Sequence, residues 1–461
     1  MRAAARRAGE AEGTALARVS RALDRLPGPV TLEIESLDAE GRGIARDADG
    51  KVVFVEGALP GERVEVALLS RKPKFDLATM IAALRESSAR RTPRCRYFGV
   101  CGGCATQHID ARTQLAAKQR ALEDGLQRIG KLRPEAVLPI VYGEEWGYRH
   151  RARLTVRRVA KKGGVLIGFH ERRSSYVVDM LSCEVLPPRI SRLIPRLREV
   201  VESLSVRQRL PQIELALGDA VDVLVFRHLD PLEADDEEKL RTLAEQESVS
   251  VWLQPSGPDS AHPLHPVPAP PLDYALPEYG LRIAFRPTDF TQVNHGVNRI
   301  LVSRAMRLLD PRPGERIGDL FCGLGNFSLP IARMGARVLG LEGSATLVER
   351  AQENAVANGL QESASFVCAD LYGPGAGGFA ALGPFDKLLI DPPRSGAAEV
   401  VKALPDAWPR RIVYVSCDLA TLARDAGALV HAKGFRLAAA GVVNMFPHTA
   451  HVESIALFER P

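Results

Sequence analysis

The chain has 461 residues, 46% hydrophobic and 25% charged, with a net charge of +5 and seven cysteines. That length is too great for one ordinary core and predicts about three domains; the composition is globular, and the absence of any apolar run near 18 residues excludes a membrane-spanning helix. An odd number of thiols without an export signal fits a reducing, cytoplasmic setting, where clustered cysteines hold metal or do chemistry.

Residues 1–26 are rich in Arg and Ala but interrupted by Glu10, Glu12 and Asp24. Lacking a continuous apolar stretch, they read as a flexible basic tail and not as a secretory signal. Over residues 27–88, short β-rich runs alternate with Gly and Asp turns, which predicts a small β-barrel. The segments GRGIAR and ALPGERVEV within it resemble a TRAM domain, an oligonucleotide-binding-type (OB) barrel carried by RNA-modifying enzymes.

Residues 89–285 predict a central α+β domain. It opens on CRYFGVCGGCATQHI, where Cys95, Cys101 and Cys104 form a C-x5-C-x2-C loop that Gly102 and Gly103 allow to wrap tightly. Three soft ligands are one short of a closed site, and Cys183 in MLSCEVL is the unassigned cysteine nearest in the chain; such a tetrathiolate takes Zn²⁺ or an iron–sulfur cluster, and spacing leaves the choice open. The next segment, residues 111–130, has helical periodicity ending at Gly130. Between Arg149 and Arg173 nine Lys or Arg residues face one acid, Glu171, while Leu154, Val156, Val165 and Ile167 alternate around KKGG. This predicts a basic strand hairpin, with Arg149 and Arg151 among its cations, suited to a polyanion such as RNA. The Pro-rich stretch over residues 253–274 predicts a linker or surface loop in which His262 and His265 are surface residues.

Residues 286–461 alternate short apolar runs with helical patterns, predicting a doubly wound α/β domain. In DLFCGLGNFSLP a Gly turn stands between strand and helix, where open α/β sheets bind ligands. The following strand ends in Glu342, positioned for ribose hydroxyls, and a third ends near Asp370, positioned for an adenine amino group. These strand-end features resemble the S-adenosylmethionine-binding part of class I (Rossmann-like) methyltransferases, which implies that Phe321 and Asn326 line the cofactor region and that Glu342 takes the ribose. Two more strands deliver Asp391 in DPPRSG and Cys417 in YVSCDLATLARD to the same sheet edge. Cys417 precedes a helix whose dipole is expected to favour its thiolate. A thiolate beside a methyl donor suggests covalent activation of an unreactive ring carbon: sulfur adds at carbon 6 of a uracil, carbon 5 becomes enolate-like and accepts the methyl, and a base removes the carbon-5 proton. Glu453 is the expected base, with His448 and His451 as rivals.

FTQVNHGVN, DLFCGLGNFSLPIA, DPPRSG, YVSCDLATLARD and MFPHTAHVES, in that order, resemble the RNA uracil-C5 methyltransferase family from about residue 27 onward. The resemblance implies Cys417 as nucleophile, Glu453 as base, Gln292 and Asp391 at cofactor or base, and Phe290 near a uracil extruded from folded RNA. It also implies that the four cysteines bind a [4Fe-4S] cluster of structural role, and that the substrate is 23S ribosomal RNA, since the transfer RNA branch typically lacks both TRAM domain and cluster. No membrane and no obligate protein partner are expected. A transfer RNA or dual-site uracil methyltransferase, an amine methyltransferase of the same fold, and a non-catalytic iron–sulfur RNA-binding protein are the alternatives. The amine-methylating enzymes usually carry N-P-P-[YFW] where this chain has DPPR, and need no thiol.

Overall fold

The computed structural model describes residues 29–460 apart from Ala39 and Gly373; the expected basic tail lies outside the described residues. The chain divides into two compact units. The first ends at Ala121 and takes in Glu171–Ser174 and His448–His451; the second comprises Leu122–His170, Ser175–Pro447 and Val452–Pro461.

In the first unit, β1 (Val30–Glu33), β2 (Ser36–Leu37), β3 (Gly43–Arg46), β4 (Val52–Glu56), β5 (Arg63–Arg71) and β6 (Phe75–Arg85) form one sheet in the order β1-β5-β6-β4-β3-β2. Alternation puts Val53, Val55, Val64, Val66 and Ala78 inside, around Leu32 and Ile34, as a half-buried strand requires. Three register shifts between β5 and β6 accommodate the bending of these long strands. Beneath them Glu62, fully buried, accepts hydrogen bonds from Arg90 through both oxygens (2.6 Å each) and from Leu59 N and Ser87 N.

Helix α1 (Ala111–Gly125) spans the boundary between the units. In the second unit, β7 (Ala136–Val137) pairs with the C-terminal sheet described below, while β8 (Arg151–Val159) and β9 (Gly164–Gly168) form the basic hairpin expected from KKGG. Leu154, Val156, Val165 and Ile167 are buried as expected, together with Ala152 and Leu166. Helices α2 (Pro188–Ser191) and α3 (Leu193–Ser203), strands β10 (Gln212–Leu217) and β11 (Asp222–Arg227), helix α4 (Ala234–Glu247), and strands β12 (Ser250–Gln254) and β13 (His262–His265) complete a mixed sheet ordered β13-β12-β11-β10-β8-β9. The Pro-rich stretch is thus more than a linker: His262–His265 pairs antiparallel with β12 as an edge strand, where prolines on the unpaired side are tolerated.

After the hairpin β14 (Asp273–Leu276) and β15 (Leu281–Ala284) come helix α5 (His295–Leu309), β16 (Arg316–Leu320), α6 (Ser328–Arg333), β17 (Arg337–Glu342), α7 (Ala345–Ala357), β18 (Ala364–Cys368), β19 (Lys387–Ile390), α8 (Ala398–Ala403), β20 (Arg411–Ser416), α9 (Leu419–His431), β21 (Arg436–Val443) and β22 (Glu453–Glu459). Their eight-stranded sheet, β18-β17-β16-β19-β20-β22-β21-β7, is parallel except for β22. This is the doubly wound arrangement expected, with strand order reversing beside β16. Ala216, Val223 and Val225 of the mixed sheet share a core with Leu301, Ile317, Val413 and Ile455, so residues 122–285 and 286–461 fold around common apolar contacts. On α7, Ala351 and Ala355 are buried as the periodicity implies, but Val356 is 58% exposed. No helix among the described residues is long and apolar enough to cross a membrane.

Candidate active site

The C-terminal ends of β16, β17, β19 and β20 converge on one edge of the sheet. β16 stops at Leu320, and the next residue, Phe321, is a non-glycine residue at φ +65° whose N–H donates to Leu341 O (2.8 Å). That left-handed conformation costs about 1–3 kcal/mol in a bulky residue, and it turns the chain into Gly323 and Gly325 at φ +54° and +89°. From the end of β17, Glu342 reaches back: one carboxylate oxygen accepts from Gly323 N and the other from Ser344 N, each at 3.1 Å. Ser344 caps α7 by accepting from Leu347 N.

The side chain of Asn326 is directed inward. Its amide forms a reciprocal pair with Asn298, and its oxygen also accepts from the Tyr274 hydroxyl. Sequence reasoning expected Asn326 to line the cofactor region; the amide is engaged within the protein, so its contribution there is to the shape of the turn. Asp370 lies two residues beyond β18 and accepts from Tyr372 N (2.8 Å). Tyr372, which sequence reasoning missed, places its ring 5.3 Å from that of Phe321; burial and the charges of Glu342 and Cys417 raise its phenol pKa, while a hydrogen bond with Ser395 lowers it.

The register of the sheet brings Cys417 and Glu453 together. β20 and β22 run antiparallel with Ser416 opposite Ser454 as their last pair; Cys417 and Glu453 are the residues next to that pair, close enough for the Glu453 charge to act on the thiol. Glu453 is 5% exposed and Cys417 half-buried. Burial pushes the Cys417 thiol up to about 11, reinforced by the carboxylates of Glu453 and Asp391 and opposed by Arg394. This corrects the expectation of a dipole-stabilised thiolate. Asp418, one residue later, is the cap of α9, and its carboxylate takes the Ala420 and Thr421 N–H groups; the thiol faces two acids instead. Helix dipole effects fall off within the first turn, and here they act on Asp418.

Asp391 keeps some exposure as a residue, but its carboxyl is enclosed; burial, with Glu453 and Asp319 nearby, raises its pKa to about 8. Asp319, fully buried in β16, is raised to about 7 by burial and Glu342, against a hydrogen bond from Ser328; its second oxygen has no hydrogen-bond partner among the described residues. A lone Asp within the apolar run IGDL was the available signal for this residue. Enclosed carboxyls raised in this way ionise when a positively charged ligand binds beside them, so Asp319 and Asp391 suit such a ligand.

Phe290, 69% exposed, and half-buried Gln292 lie between β15 and α5. Phe290 is therefore open for stacking, a use exposed aromatics serve in RNA recognition. His448 belongs to the other unit, where its backbone N–H and ring meet Gln114.

The two hairpin arginines differ from expectation. Arg151 is turned into the fold, with its guanidinium 3.8 Å from the Glu214 carboxylate and its pKa lowered by burial; Arg149 donates to Arg151 O and lies 5.7 Å over the Phe169 ring. Residues 151, 153 and 155 share the face of β8 opposite to buried Ala152, Leu154 and Val156, and on that face Glu214 of β10 draws Arg151 in while Arg153 stays exposed. The outward cations of the hairpin include Arg157, Lys161 and Lys162, beside Arg153 and Arg158, which pair with Glu214 and Glu202.

Cys101 and Cys183 are buried, and Cys95 and Cys104 half-buried. The loop of the first three is held by Phe98 N to Cys95 O, Cys101 N to Tyr97 O, and Gly103 N to the Cys101 sulfur at 3.4 Å. Cys183 lies in the second unit, its N–H bonded to Ser191 Oγ. Among the described residues, no group of three or more His, Cys, Asp or Glu is arranged to hold a metal ion.

Comparison with known proteins agrees with this geometry. The model of the family described as tRNA (Uracil-5-)-methyltransferase matches residues 110–367 and 383–461, and that of the TRAM domain matches residues 29–81. Proteins named 23S rRNA (uracil(1939)-C(5))-methyltransferase RlmD are similar: that of Thiobacillus denitrificans is 63% identical over 93% of this chain and 99% of its own, and that of Nitrosospira multiformis 61% identical over 93% and 98%. Among solved structures, the tRNA (uracil-54, C5)-methyltransferase of Pyrococcus abyssi in complex with S-adenosyl-L-homocysteine superposes with a TM-score of 0.72 at 25% identity, covering 93% of this chain and 99% of that one. With a thiol and a carboxylate facing each other at the edge of a methyltransferase sheet, and that family's model matching across most of its length, the chain belongs to the tRNA (uracil-5-)-methyltransferase family.

Proposed function

We propose that this protein methylates carbon 5 of a uridine in 23S ribosomal RNA, with S-adenosylmethionine as donor and a covalent Cys417–uracil adduct on the way. The observation that carries the reading is the cross-strand juxtaposition of Cys417 and Glu453 in a chain more than 60% identical to proteins named for that reaction.

The residues around the Gly turn fit the donor: Gly323 and Gly325 leave the backbone approachable, Glu342 suits ribose hydroxyls, Asp370 suits an adenine amino group, and the enclosed carboxyls of Asp319 and Asp391 ionise beside a cation. Bound there, S-adenosylmethionine supplies an electrophilic methyl group. Phe290 and Gln292 receive the extruded base. Because the Cys417 thiol keeps its proton at neutral pH, attack requires that proton to leave as the sulfur–carbon 6 bond forms; Asp391, raised to about 8, accepts it in its ionised form, which a cationic ligand beside it favours. Carbon 5 then takes the methyl, the Glu453 carboxylate removes the carbon-5 proton, and the electron pair left behind expels the Cys417 sulfur and restores the ring.

A [4Fe-4S] cluster on Cys95, Cys101, Cys104 and Cys183 fits the donor set, since thiolates are the usual ligands and an N–H directed at sulfur, as Gly103 provides, is a common tuning contact. Its role is structural. In this reading the tail (1–26), TRAM barrel (27–88), central iron–sulfur domain (89–285) and methyltransferase domain (286–461) divide the work: the barrel and the outward hairpin cations hold RNA in the cytoplasm without a membrane or obligate partner.

Transfer of labelled methyl from S-adenosylmethionine to RNA of a strain lacking this protein tests the reading. Label at carbon 5 of one 23S uridine and a trapped adduct on 5-fluorouridine RNA support it; label confined to transfer RNA, or native turnover by Cys417→Ala, refutes it. Iron and sulfide analysis of protein isolated without air tests the cluster, with Cys101→Ser expected to lose both.

A further inference from the structure

The Gly turn is gripped from behind by a network that the expected site does not include. Asn298 lies one turn into α5, 1% exposed; its amide nitrogen donates to Asn326 Oδ1 (2.9 Å), and Asn326 Nδ2 donates back to Asn298 Oδ1 (3.1 Å). From β14 the Tyr274 hydroxyl donates to the same Asn326 oxygen at 2.9 Å. Tyr274 is 3% exposed, and burial pushes its phenol pKa up, so it acts as a donor at all working pH values. Two donors on one oxygen and one acceptor for the nitrogen fix the Asn326 amide in a single orientation. A second asparagine, Asn354 of α7, holds the turn through Leu324 O (3.2 Å) and is itself tied to both the N–H and the carbonyl of Ala284.

We infer that Tyr274 and Asn298 are positioning residues for methyl-donor binding, setting the Phe321–Asn326 turn through the Asn326 side chain. The inference rests on the reading of that turn as the cofactor site. A turn with one residue at φ +65° and two glycines at positive φ stays in one conformation only if its surroundings over-determine it, and this reciprocal amide pair with its tyrosine donor does so. Asn298 also belongs to the helix that follows Phe290 and Gln292, so the element fixing the donor turn continues directly from the segment assigned to the base.

The test is Tyr274→Phe, which removes one hydroxyl without changing the ring, beside Asn298→Asp, which replaces the donor to Asn326 with an acceptor. The affinity for S-adenosylhomocysteine by calorimetry, KM for S-adenosylmethionine, kcat at saturation, RNA affinity and Tm are measured for each. Tyr274→Phe is expected to weaken homocysteine-product binding and raise KM for the donor about fivefold, the effect of one buried hydrogen bond, with kcat and RNA affinity within about twofold. Asn298→Asp is expected to weaken both donor readings further. Unchanged donor affinity in Tyr274→Phe, with or without a lower Tm, overturns the inference. Glu342→Gln separates this from failure of the underlying reading: if it too binds S-adenosylhomocysteine as the native protein does, the cofactor assignment falls, whereas if it alone loses affinity, only the network's role falls.

Discussion

Removing the carboxylate charge of Glu453 should make Cys417 more reactive toward a small alkylating agent while abolishing methyl transfer. Burial, Glu453 and Asp391 hold the thiol at about 11, so near pH 8 about one molecule in a thousand carries thiolate. Cross-strand neighbours on antiparallel strands place their charges about 6 Å apart; with an effective dielectric of about 40 for this half-exposed setting, a unit charge there is worth about 1.4 kcal/mol, or about one pH unit. Glu453→Gln therefore raises the thiolate fraction about tenfold, and the lower basicity of that sulfur offsets about threefold of the gain. Iodoacetamide labelling of Cys417, followed by peptide mass spectrometry in cofactor-free protein at pH 8, should be about threefold faster in the variant. Exposed Cys368 provides the internal reference, because it lies on β18 away from the Glu453 pairing. Asp391→Asn should act in the same direction. An unchanged or slower Cys417 rate in both variants would refute the reasoning that these acids control the sulfur.

Other outcomes follow from buried charge. Asp319 is raised from 3.8 to about 7, so its folded form holds a proton that the unfolded form loses between those values; the stability it contributes is present below about pH 4 and lost as pH rises through 7. Asp319→Asn should accordingly raise Tm at pH 8 and change it little at pH 4, and equal effects at both would sink that account. Glu62 is the opposite case: burial raises its pKa, but the hydrogen bonds from Arg90, Leu59 and Ser87 prevail and leave it lowered. Arg90→Ala strands that buried carboxylate and should cost about 3–5 kcal/mol near neutral pH, with the loss shrinking as acid protonates Glu62; denaturant unfolding at pH 7 and pH 4 measures both. Reversing the outward hairpin cations (Arg157, Lys161 and Lys162→Glu) should weaken RNA binding and flatten its salt dependence by about three phosphate contacts, whereas Arg151→Ala should lower Tm through Glu214 with little change in that slope.

The strand–turn–helix rhythm from residue 311 onward was legible because buried parallel strands must be apolar runs ended by Gly or capping residues, as Leu320, Glu342 and Ile390 bear out. The hairpin at KKGG was legible for the same kind of reason. Orientation was less so. Which way Arg151 points depends on Glu214, some sixty positions away, and the direction of the Asn326 amide depends on Tyr274 and Asn298 from separate elements. The state of Cys417 was misread because a helix start was visible in sequence, but the acid opposite it becomes a neighbour only when β22 inserts between β20 and β21.

That insertion has a temporal meaning. β22 is the last strand of the sheet, lies antiparallel between two earlier ones, and carries Glu453 as its first residue. A chain that has made β16–β20 already possesses its Gly turn and Cys417, yet lacks Glu453. Until this strand arrives, the slot between β20 and β21 leaves both edges unpaired and the sheet unfinished.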